Sequence, residues 1–403
     1  MGERRWLLGV CAALVALVMV AFWPAVSAFY VSWDDRQNFV TNPMWWGLSG
    51  ENVRWMLTTF HMGHWHPLTW LSFGLQYELI GGDPGASHAV NIGLHALNSV
   101  LFFLVVRRVL GMVTEEGAGG GLSRLGVVAA GLGAAYFAVH PLRVESVAWA
   151  TERRDLLSTA LLLGSLLAYL RAVGEGEGGS SGVRDRRWYW AAVVLLALSC
   201  ASKAWGMSFF VVLMLLDVYP LRRVEGVRGW FTRAGLRVAV EKLPFAAIGV
   251  ATAVVASKAQ SAGMATKTLA EWGLVERAVQ ACYGLMFYLR QSVAPSGHSP
   301  LYELPVSVDP LEGRYVAGYV VVLALVVVGL MMWRRARGVT VGLLIYLVLV
   351  SPVLGVLQSG YQFVADRYSY LATMPLAVGL AWAAVWVVRR AEARRGAEGG
   401  CLR

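Results

Sequence analysis

Apolar residues occur along the chain in long runs, and these runs predict membrane-spanning helices. A bilayer core needs about 20 apolar residues per helix. We predict ten such helices, near residues 6–28, 87–106, 125–140, 156–170, 188–202, 205–220, 238–257, 315–333, 339–356 and 368–388. Segment 273–293 also predicts a helix, and because it contains Arg290 we expect it to be re-entrant or to lie in a protein-lined cavity. The predicted fold class is an all-α polytopic membrane protein with about 10 or 11 transmembrane helices.

The first apolar run has features of both a signal peptide and a membrane anchor. Arg4 and Arg5 precede the run, and the small residues at 25–28 resemble a cleavage site. The run is longer than a usual signal-peptide core, and Trp6 and Trp23 lie at its two ends, where interfacial anchors are found. We expect a retained anchor.

The composition supports a membrane protein and excludes other classes. Hydrophobic residues make up 57% of the 403 residues and charged residues 15%, whereas soluble domains carry about 25% charge. A cytosolic enzyme, a disordered protein and a disulfide-stapled secreted module are therefore excluded. The four cysteines are far apart and form no disulfide or zinc pattern.

The net charge of +10 indicates how the chain is oriented in the membrane. Lys and Arg are concentrated in six short stretches between apolar runs: 4–5, 107–124, 171–187, 222–237, 334–337 and 389–403. Basic loops stay in the cytoplasm, so we predict a cytoplasmic N-terminus and a basic cytoplasmic tail at 391–403, after one membrane domain at 1–390. The arginines orient the chain and contact membrane lipid, and no nucleic-acid partner is expected. The glycine-rich stretches 111–123 and 174–182 are predicted to be cytoplasmic linkers.

This orientation places residues 29–86, 141–155 and 294–314 on the outer face. The first loop begins with two adjacent carboxylates, Asp34 and Asp35, directly after the first helix. Like charges this close raise a pKa, which would suit a general base near the hydrocarbon boundary. Two solvated turn residues are an equal alternative on the sequence alone.

The rest of the first loop is predicted to lie on the membrane surface. Residues 51–60 show the apolar spacing of an amphipathic helix, and six tryptophans accompany it: Trp33, Trp45, Trp46, Trp55, Trp65 and Trp70. We expect these rings at headgroup depth. His61, His64 and His66 match no standard zinc spacing, so hydrogen bonding is expected there and a metal is not indicated.

Polar residues inside apolar runs are costly and indicate either helix packing or function. Asn91, His95 and Asn98 share one face of the second helix, as glue between helices or as a cavity lining. Segment 141–155 carries five charged residues: Arg143, Glu145, Glu152, Arg153 and Asp155. Internal ion pairing and substrate binding are both open for this group.

Several cations are predicted to lie at the same outer level. Lys203 interrupts two apolar runs, and Arg367, beside Asp366, precedes the last one. With Arg153 and Arg290 they would meet the phosphate of a lipid-linked substrate, since fixed Arg and Lys can stabilise a departing phosphate.

The motif order resembles a known family. The sequence contains, in order, WDDRQNFVTNP, HWHPLTWLSFGLQYEL, SHAVNIGLHALNSVLFFLVVRRVL, AVHPLRVESVAWATERRDLLST, LSCASKAWGMSFFVVLMLLDVYPLRR, EKLPF and ADRYSYLATMPL. Over about residues 30–385 it resembles the membrane portion of bacterial glycosyltransferases related to the transmembrane-and-tetratricopeptide O-mannosyltransferases. These are similar to other members of the GT-C superfamily, such as protein O-mannosyltransferases and the aminoarabinose transferase of lipid A.

The resemblance implies a GT-C fold and inverting transfer of a mannose-like hexose from a polyprenyl-phosphate donor to an extracytoplasmic hydroxyl, typically of protein Ser or Thr. It implies that Asp34 and Asp35 carry the base and that Lys203 and Arg367 are the family's basic positions. It also implies the inner membrane of a bacterium, with a periplasmic active site and no resident cofactor. We expect the substrate pocket to include His66, Asn91, His95, Arg143, Glu145, Glu152, Asp155 and Asp366.

The relatives carry tetratricopeptide repeats, and this sequence shows no such pattern. The acceptor is therefore open between a protein, a glycan and a lipid. A separate partner could supply the repeats, or the chain could be a truncated or defective copy. A transporter or lipid flippase, which would show paired interrupted halves, and a non-catalytic membrane scaffold remain as alternative functions.

Overall fold

A computed structural model describes residues 2–114, 122–174, 182–263, 267–355 and 360–400. Parts of both predicted glycine-rich linkers and the last three residues of the predicted basic tail lie outside these ranges. The α-helices are α1 Gly2–Phe22, α2 Gly50–Thr58, α3 Pro67–Ile80, α4 Pro84–Val113, α5 Arg124–Val139, α6 Val144–Ala148, α7 Arg153–Val173, α8 Arg186–Ser202, α9 Phe209–Val218, α10 Gly226–Gly229, α11 Arg233–Val240, α12 Leu243–Ala262, α13 Leu274–Val293, α14 Gly313–Arg335, α15 Arg337–Val350, α16 Ser369–Ala372 and α17 Met374–Gly400. Two short strands, β1 Tyr302–Glu303 and β2 Gln362–Val364, pair antiparallel.

Helix starts follow the capping chemistry of the sequence. The Asp83 carboxylate accepts the Ala86 N–H at 3.1 Å, and Pro84 occupies the first position of α4, where its missing N–H costs nothing. Ser123 caps α5 through the Gly126 N–H at 3.2 Å in the same way. These caps determine the residues at which α4 and α5 begin.

The structure confirms the predicted all-α polytopic membrane fold. Within the described ranges, six helices are long and apolar enough to cross a membrane, or seven if α5 and the bent segment Pro141–Ala148 form one span. This number is below the predicted ten or eleven. The segments Ala204–Val218 and Arg337–Val353 are shorter apolar helices, α5 counts only as part of the bent pair, and α8, with 17 residues, is not among the spans. The helix predicted at 273–293 forms as α13, and it is not among the six.

The helices pack around two apolar cores. The larger core is shared by α1, α4, α5, α7, α8, α9 and α17. The second core joins α13, α14 and α15 to the strand pair β1–β2. The start of α7 and the end of α8 contact α3 of the first loop. The charged segment 141–155 leads into α7 at this contact.

The first loop has a core of its own, which corrects part of the prediction. Trp45 and Trp70 are each only 1% exposed, so their rings are enclosed by protein and do not contact lipid headgroups as predicted. Their rings contact Phe39 and Phe73 at centroid distances of 5.3 to 6.5 Å within the same cluster. Aromatic side chains buried against each other dominate the energetics of a core, so the loop is a packed subdomain.

Candidate active site

A break in the chain after α5 brings the charged segment between the helices. Pro141 follows α5, and the chain bends by 56° into α6 because proline cannot continue the hydrogen-bond ladder. A 3₁₀ turn at Ala150–Glu152 then leads into α7. Glu152 thus lies at the junction of this turn with α7, where a buried carboxylate can face several elements.

Glu152 is fully buried and forms ion pairs with three cations, Arg154, Lys203 and Arg367. The Arg154 guanidinium binds it through two nitrogens, at 2.6 and 3.1 Å. The Lys203 ammonium lies 3.2 Å from the carboxylate, and the Arg367 Nε lies 3.4 Å from it. The side chains predicted from distant parts of the sequence therefore meet at one carboxylate.

Two further carboxylates complete this group, which we call the Glu152 cluster (Glu145, Glu152, Arg154, Asp155, Lys203 and Arg367). Lys203 forms an ion pair with Asp155, and Arg367 forms one with Glu145. The Arg367 N–H also donates to Glu145 at 2.8 Å. Burial opposes the charged guanidinium, but Tyr368, Glu152 and Glu145 raise the pKa of Arg367 above its ordinary value. Three cations thus balance three carboxylates in a largely buried network.

Asp35 connects the first loop to the Glu152 cluster. Its carboxylate accepts the Thr151 backbone N–H at 2.9 Å, the Thr151 hydroxyl at 2.5 Å and the Val31 N–H at 3.1 Å. Burial raises the pKa of Asp35, the Asp34 carboxylate raises it further, and the hydrogen bonds from Thr151 and Val31 oppose this rise. Since Thr151 directly precedes Glu152, the acidic pair and the cations are neighbours in space.

Asp34 differs from Asp35 in having a free carboxylate. It is half-buried, and it makes no hydrogen bond or ion pair with any residue that the structure describes. Its charge interacts with those of His61 and Arg154. The neighbouring Trp33 ring lies 6.1 Å from the Trp149 ring, and the Arg367 guanidinium lies 5.3 Å from the same Trp149 ring. A carboxylate with unused acceptor capacity therefore lies beside the cation cluster.

A cavity of about 150 Å³ opens next to the cluster. Its lining includes Arg154, Lys203, His64, His66, Trp205 and Tyr368. The Lys203 ammonium lies 4.1 Å from the centroid of the Trp205 ring, which is within the range of a cation–π contact. Arg154 and Lys203, two cations of the Glu152 cluster, therefore face this cavity.

The two histidines of the cavity are neutral at ordinary pH. Burial, and then the charges of Arg154 and Lys203, lower the pKa of His66 to about 3. Burial, and then the charges of Arg154 and Lys203, also lower the pKa of His64. Among the described residues, no group of three or more His, Cys, Asp or Glu side chains is arranged to hold a metal ion.

Arg153 and Arg290, both predicted to bind phosphate, are placed differently from Lys203. Arg153 is fully buried and bonds to Asn91 at 3.0 Å and to the Ser87 carbonyl at 3.2 Å. Its guanidinium lies 3.8 Å from the centroid of the Phe73 ring, so it joins α3, α4 and α7. Arg290 is exposed at the end of α13 and donates to the Ser296 hydroxyl at 2.8 Å. Neither residue lines the cavity.

Sequence reasoning did not identify Arg154 as a member of the site. Arg153 and Arg154 are adjacent, and consecutive helical residues point about 100° apart. Only Arg154 faces Glu152 and the cavity. The spacing of hydrophobic residues along a helix usually shows which side is buried. Both arginines of α7 are buried, so this spacing could not show that Arg154 faces the cavity and Arg153 does not.

The other residues predicted for the substrate pocket act mainly between helices. His95 is fully buried between the Tyr370 hydroxyl, at 2.6 Å, and the Ala138 carbonyl, at 2.8 Å. Asn91 donates to the Trp149 carbonyl at 3.2 Å, which agrees with the helix-glue alternative. Buried polar groups that are paired in this way fix the arrangement of the helices around the site.

Arg143 and Asp366 are also placed apart from the cavity lining. The Arg143 guanidinium donates to the Thr373 hydroxyl at 2.9 Å and lies about 5 Å from two aromatic rings. Asp366 accepts the Tyr302 hydroxyl at 3.0 Å and contacts the His298 ring nitrogen at 2.6 Å. Arg143 therefore attaches segment 141–155 to the residue before α17, and Asp366 attaches loop 294–314 to the turn that precedes α16.

Comparison with known proteins relates the chain to one group. It is similar to protein O-mannosyl-transferase Tmtc1 of Drosophila melanogaster, with 35% identity over 41% of this chain and 18% of that protein. Tmtc2 of the same species is 30% identical over 56% of this chain and 23% of its own length, and human TMTC4 is 34% identical over 38% and 21%. The matches span about a fifth of the length of these relatives. No family model matches the chain, and no solved structure is significantly similar to it. The predicted relationship to the TMTC O-mannosyl-transferases is confirmed.

Proposed function

We propose that this chain is a membrane glycosyltransferase that transfers a mannose-like hexose from a polyprenyl-phosphate donor to a hydroxyl on the outer side of the membrane. The similar proteins are named protein O-mannosyl-transferases, which supports this activity and a protein acceptor. The observation that carries the proposal is the hydrogen bond from the Thr151 N–H to Asp35, which places the acidic pair next to Glu152 and its cluster of cations. Base and phosphate-binding groups must lie close together in such a transferase.

In this proposal Asp34 is the general base. The acceptor hydroxyl attacks the anomeric carbon, and its proton passes to the Asp34 carboxylate. The bond from the anomeric carbon to the phosphate oxygen breaks on the opposite face, so the configuration inverts. Asp34 has the free acceptor capacity for this step, whereas the bonds to Thr151 and Val31 occupy Asp35. General-base help of this kind contributes about 10²- to 10⁴-fold in rate.

The departing polyprenyl phosphate carries the negative charge that develops. Lys203 and Arg154 line the cavity and would bind it, and charge-assisted hydrogen bonds from such groups are the strong ones. Arg367 holds Glu145 and Glu152 in place and acts as a positioning residue. The acceptor is proposed to be Ser or Thr of a protein, and the membrane is proposed to be a bacterial inner membrane with the site on its periplasmic side.

A transfer assay in detergent tests this proposal. The purified chain is incubated with a short-chain polyprenyl-phosphate [³H]mannose and a Ser- and Thr-rich peptide, and labelled peptide is counted. We expect transfer by the parent chain and a loss of about a hundredfold or more in Asp34→Asn. Glu51→Gln is the matched control, since Glu51 is an exposed carboxylate of the same loop. Equal transfer by Asp34→Asn and the parent chain would exclude Asp34 as the base.

A further inference from the structure

A second, larger cavity lies away from the Glu152 cluster. It has a volume of about 880 Å³ and lies between α4, α7, α9, α15 and α17. Its walls are mostly aliphatic and aromatic, and they include Phe102, Leu163, Leu216, Tyr346, Leu349 and Trp382. We call it the apolar groove.

Four arginines line one end of the apolar groove: Arg222, Arg334, Arg335 and Arg337. All four are exposed. Their guanidinium groups make no ion pair or hydrogen bond with the described part of the chain. No Asp or Glu is among the lining residues. The groove therefore presents a concentrated positive charge at one end and hydrocarbon along its length.

The basic end is on the opposite side of the helices from the candidate active site. Lys203 precedes the 3₁₀ turn that leads into α9, whereas Arg222 follows the end of α9. The 10 residues of α9 alone separate these ends by about 15 Å. Segments 222–237 and 334–337 are predicted to be cytoplasmic from their charge, so the basic end lies at the inner leaflet.

We propose that the apolar groove binds an anionic glycerophospholipid of the inner leaflet, with its phosphate at the four arginines and an acyl chain along the groove. The acyl chain leaves one hydrocarbon environment for another, so it contributes little to the choice of lipid. The attraction of arginines near the surface for anionic headgroups decides that choice. This site is independent of the proposed transferase activity.

Native mass spectrometry of the detergent-purified chain tests the proposal. Phosphatidylglycerol and phosphatidylcholine with identical acyl chains are titrated separately, and bound lipids are counted. We expect phosphatidylglycerol to bind at least about tenfold more tightly than phosphatidylcholine. The variant Arg334→Gln/Arg335→Gln/Arg337→Gln should remove this preference. Equal affinities for the two lipids in the parent chain would overturn the proposal.

Two further variants separate the groove from general charge effects. The triple variant Arg228→Gln/Arg233→Gln/Arg237→Gln removes the same charge from exposed residues outside the groove, and we expect it to bind phosphatidylglycerol like the parent chain. Gly342→Phe fills the groove, because a side chain added at Gly342 meets no atom within 4 Å at its Cβ. We expect it to weaken phosphatidylglycerol binding with all four arginines present.

Two results would count against this site. If the triple variant outside the groove weakened phosphatidylglycerol binding as much as the triple variant in the groove, the preference would be explained by non-specific charge. Competition of polyprenyl phosphate with phosphatidylglycerol at the groove, abolished by Gly342→Phe, would assign the groove to the donor lipid instead.

Discussion

The backbone N–H of Thr151 donates to the Asp35 carboxylate at 2.9 Å, between residues 116 positions apart. This bond fixes the first loop against the start of α7, directly beside Glu152. It also gives the two adjacent aspartates different roles, because Asp35 becomes part of the scaffold and Asp34 keeps a free carboxylate. The difference can be measured.

We predict that Asp35→Asn impairs folding more than it impairs chemistry. The substitution weakens bonds from Thr151 and Val31 to a fully buried carboxylate, and hydrogen bonds to charged groups are worth about 1.5–3 kcal/mol each. The thermal unfolding midpoint in detergent should fall clearly below that of the parent chain. Asp34→Asn should unfold at the parent temperature, since Asp34 has no such bonds among the described residues. The reverse order of midpoints would assign the structural role to Asp34.

We predict that Arg154 and Arg153 respond differently to the same substitution. Arg154→Gln removes a cation from the cavity, while Glu152 keeps Lys203 and Arg367. The donor KM should rise about tenfold or more, as expected for a lost charge-assisted bond. The unfolding midpoint should fall as well, because the substitution breaks the buried ion pair with Glu152. Arg153→Gln loses its bonds to Asn91 and Ser87, so the midpoint should fall while the donor KM of the folded protein stays unchanged. A raised donor KM in Arg153→Gln alone would return the phosphate role to Arg153.

The sequence predicted the helices and predicted that the acidic pair would lie near the cations. It did not predict which of two adjacent residues is held by hydrogen bonds and which faces the cavity or keeps a free carboxylate. Helix positions follow from apolar runs and caps such as Asp83, which are local. Asp34 and Asp35, or Arg153 and Arg154, differ only in the direction of their side chains, which the surrounding elements determine. The burial of Trp45 and Trp70 likewise depends on contacts with Phe39 and Phe73. The spacing of hydrophobic residues along the chain does not show these contacts between distant segments.

We predict that His66 makes the protein less stable in acid. Its pKa is lowered from 6.5 to about 3 in the folded state, so between these values the unfolded chain binds a proton that the folded chain does not. Stability therefore falls as the pH falls below about 6.5, by up to about 1.4 kcal/mol per pH unit. In His66→Gln the unfolding midpoint should fall less between pH 7 and pH 5 than in the parent chain. An equal fall in both proteins would show that His66 does not contribute.

A buried ionic network lies at the C-terminal end of α9, and we predict that it stabilises the fold. Asp217 is fully buried and accepts the Lys242 ammonium at 2.6 Å, the Arg223 guanidinium at 3.0 Å and the Tyr169 hydroxyl at 2.8 Å. Asp217→Asn leaves both cations without this charge, and breaking a buried pair in this way costs about 3–5 kcal/mol. We expect a large loss of thermal stability.

The control and the readout separate this scaffold effect from catalysis. Glu225→Gln removes an exposed carboxylate from the same region, and its unfolding midpoint should equal that of the parent chain. The donor KM of the folded Asp217→Asn protein should also be unchanged, because α9 separates this network from Lys203 by about 15 Å. A donor KM that rises in Asp217→Asn at temperatures well below its midpoint would mean that the two ends of α9 are coupled, and the network would then have to be counted as part of the proposed site.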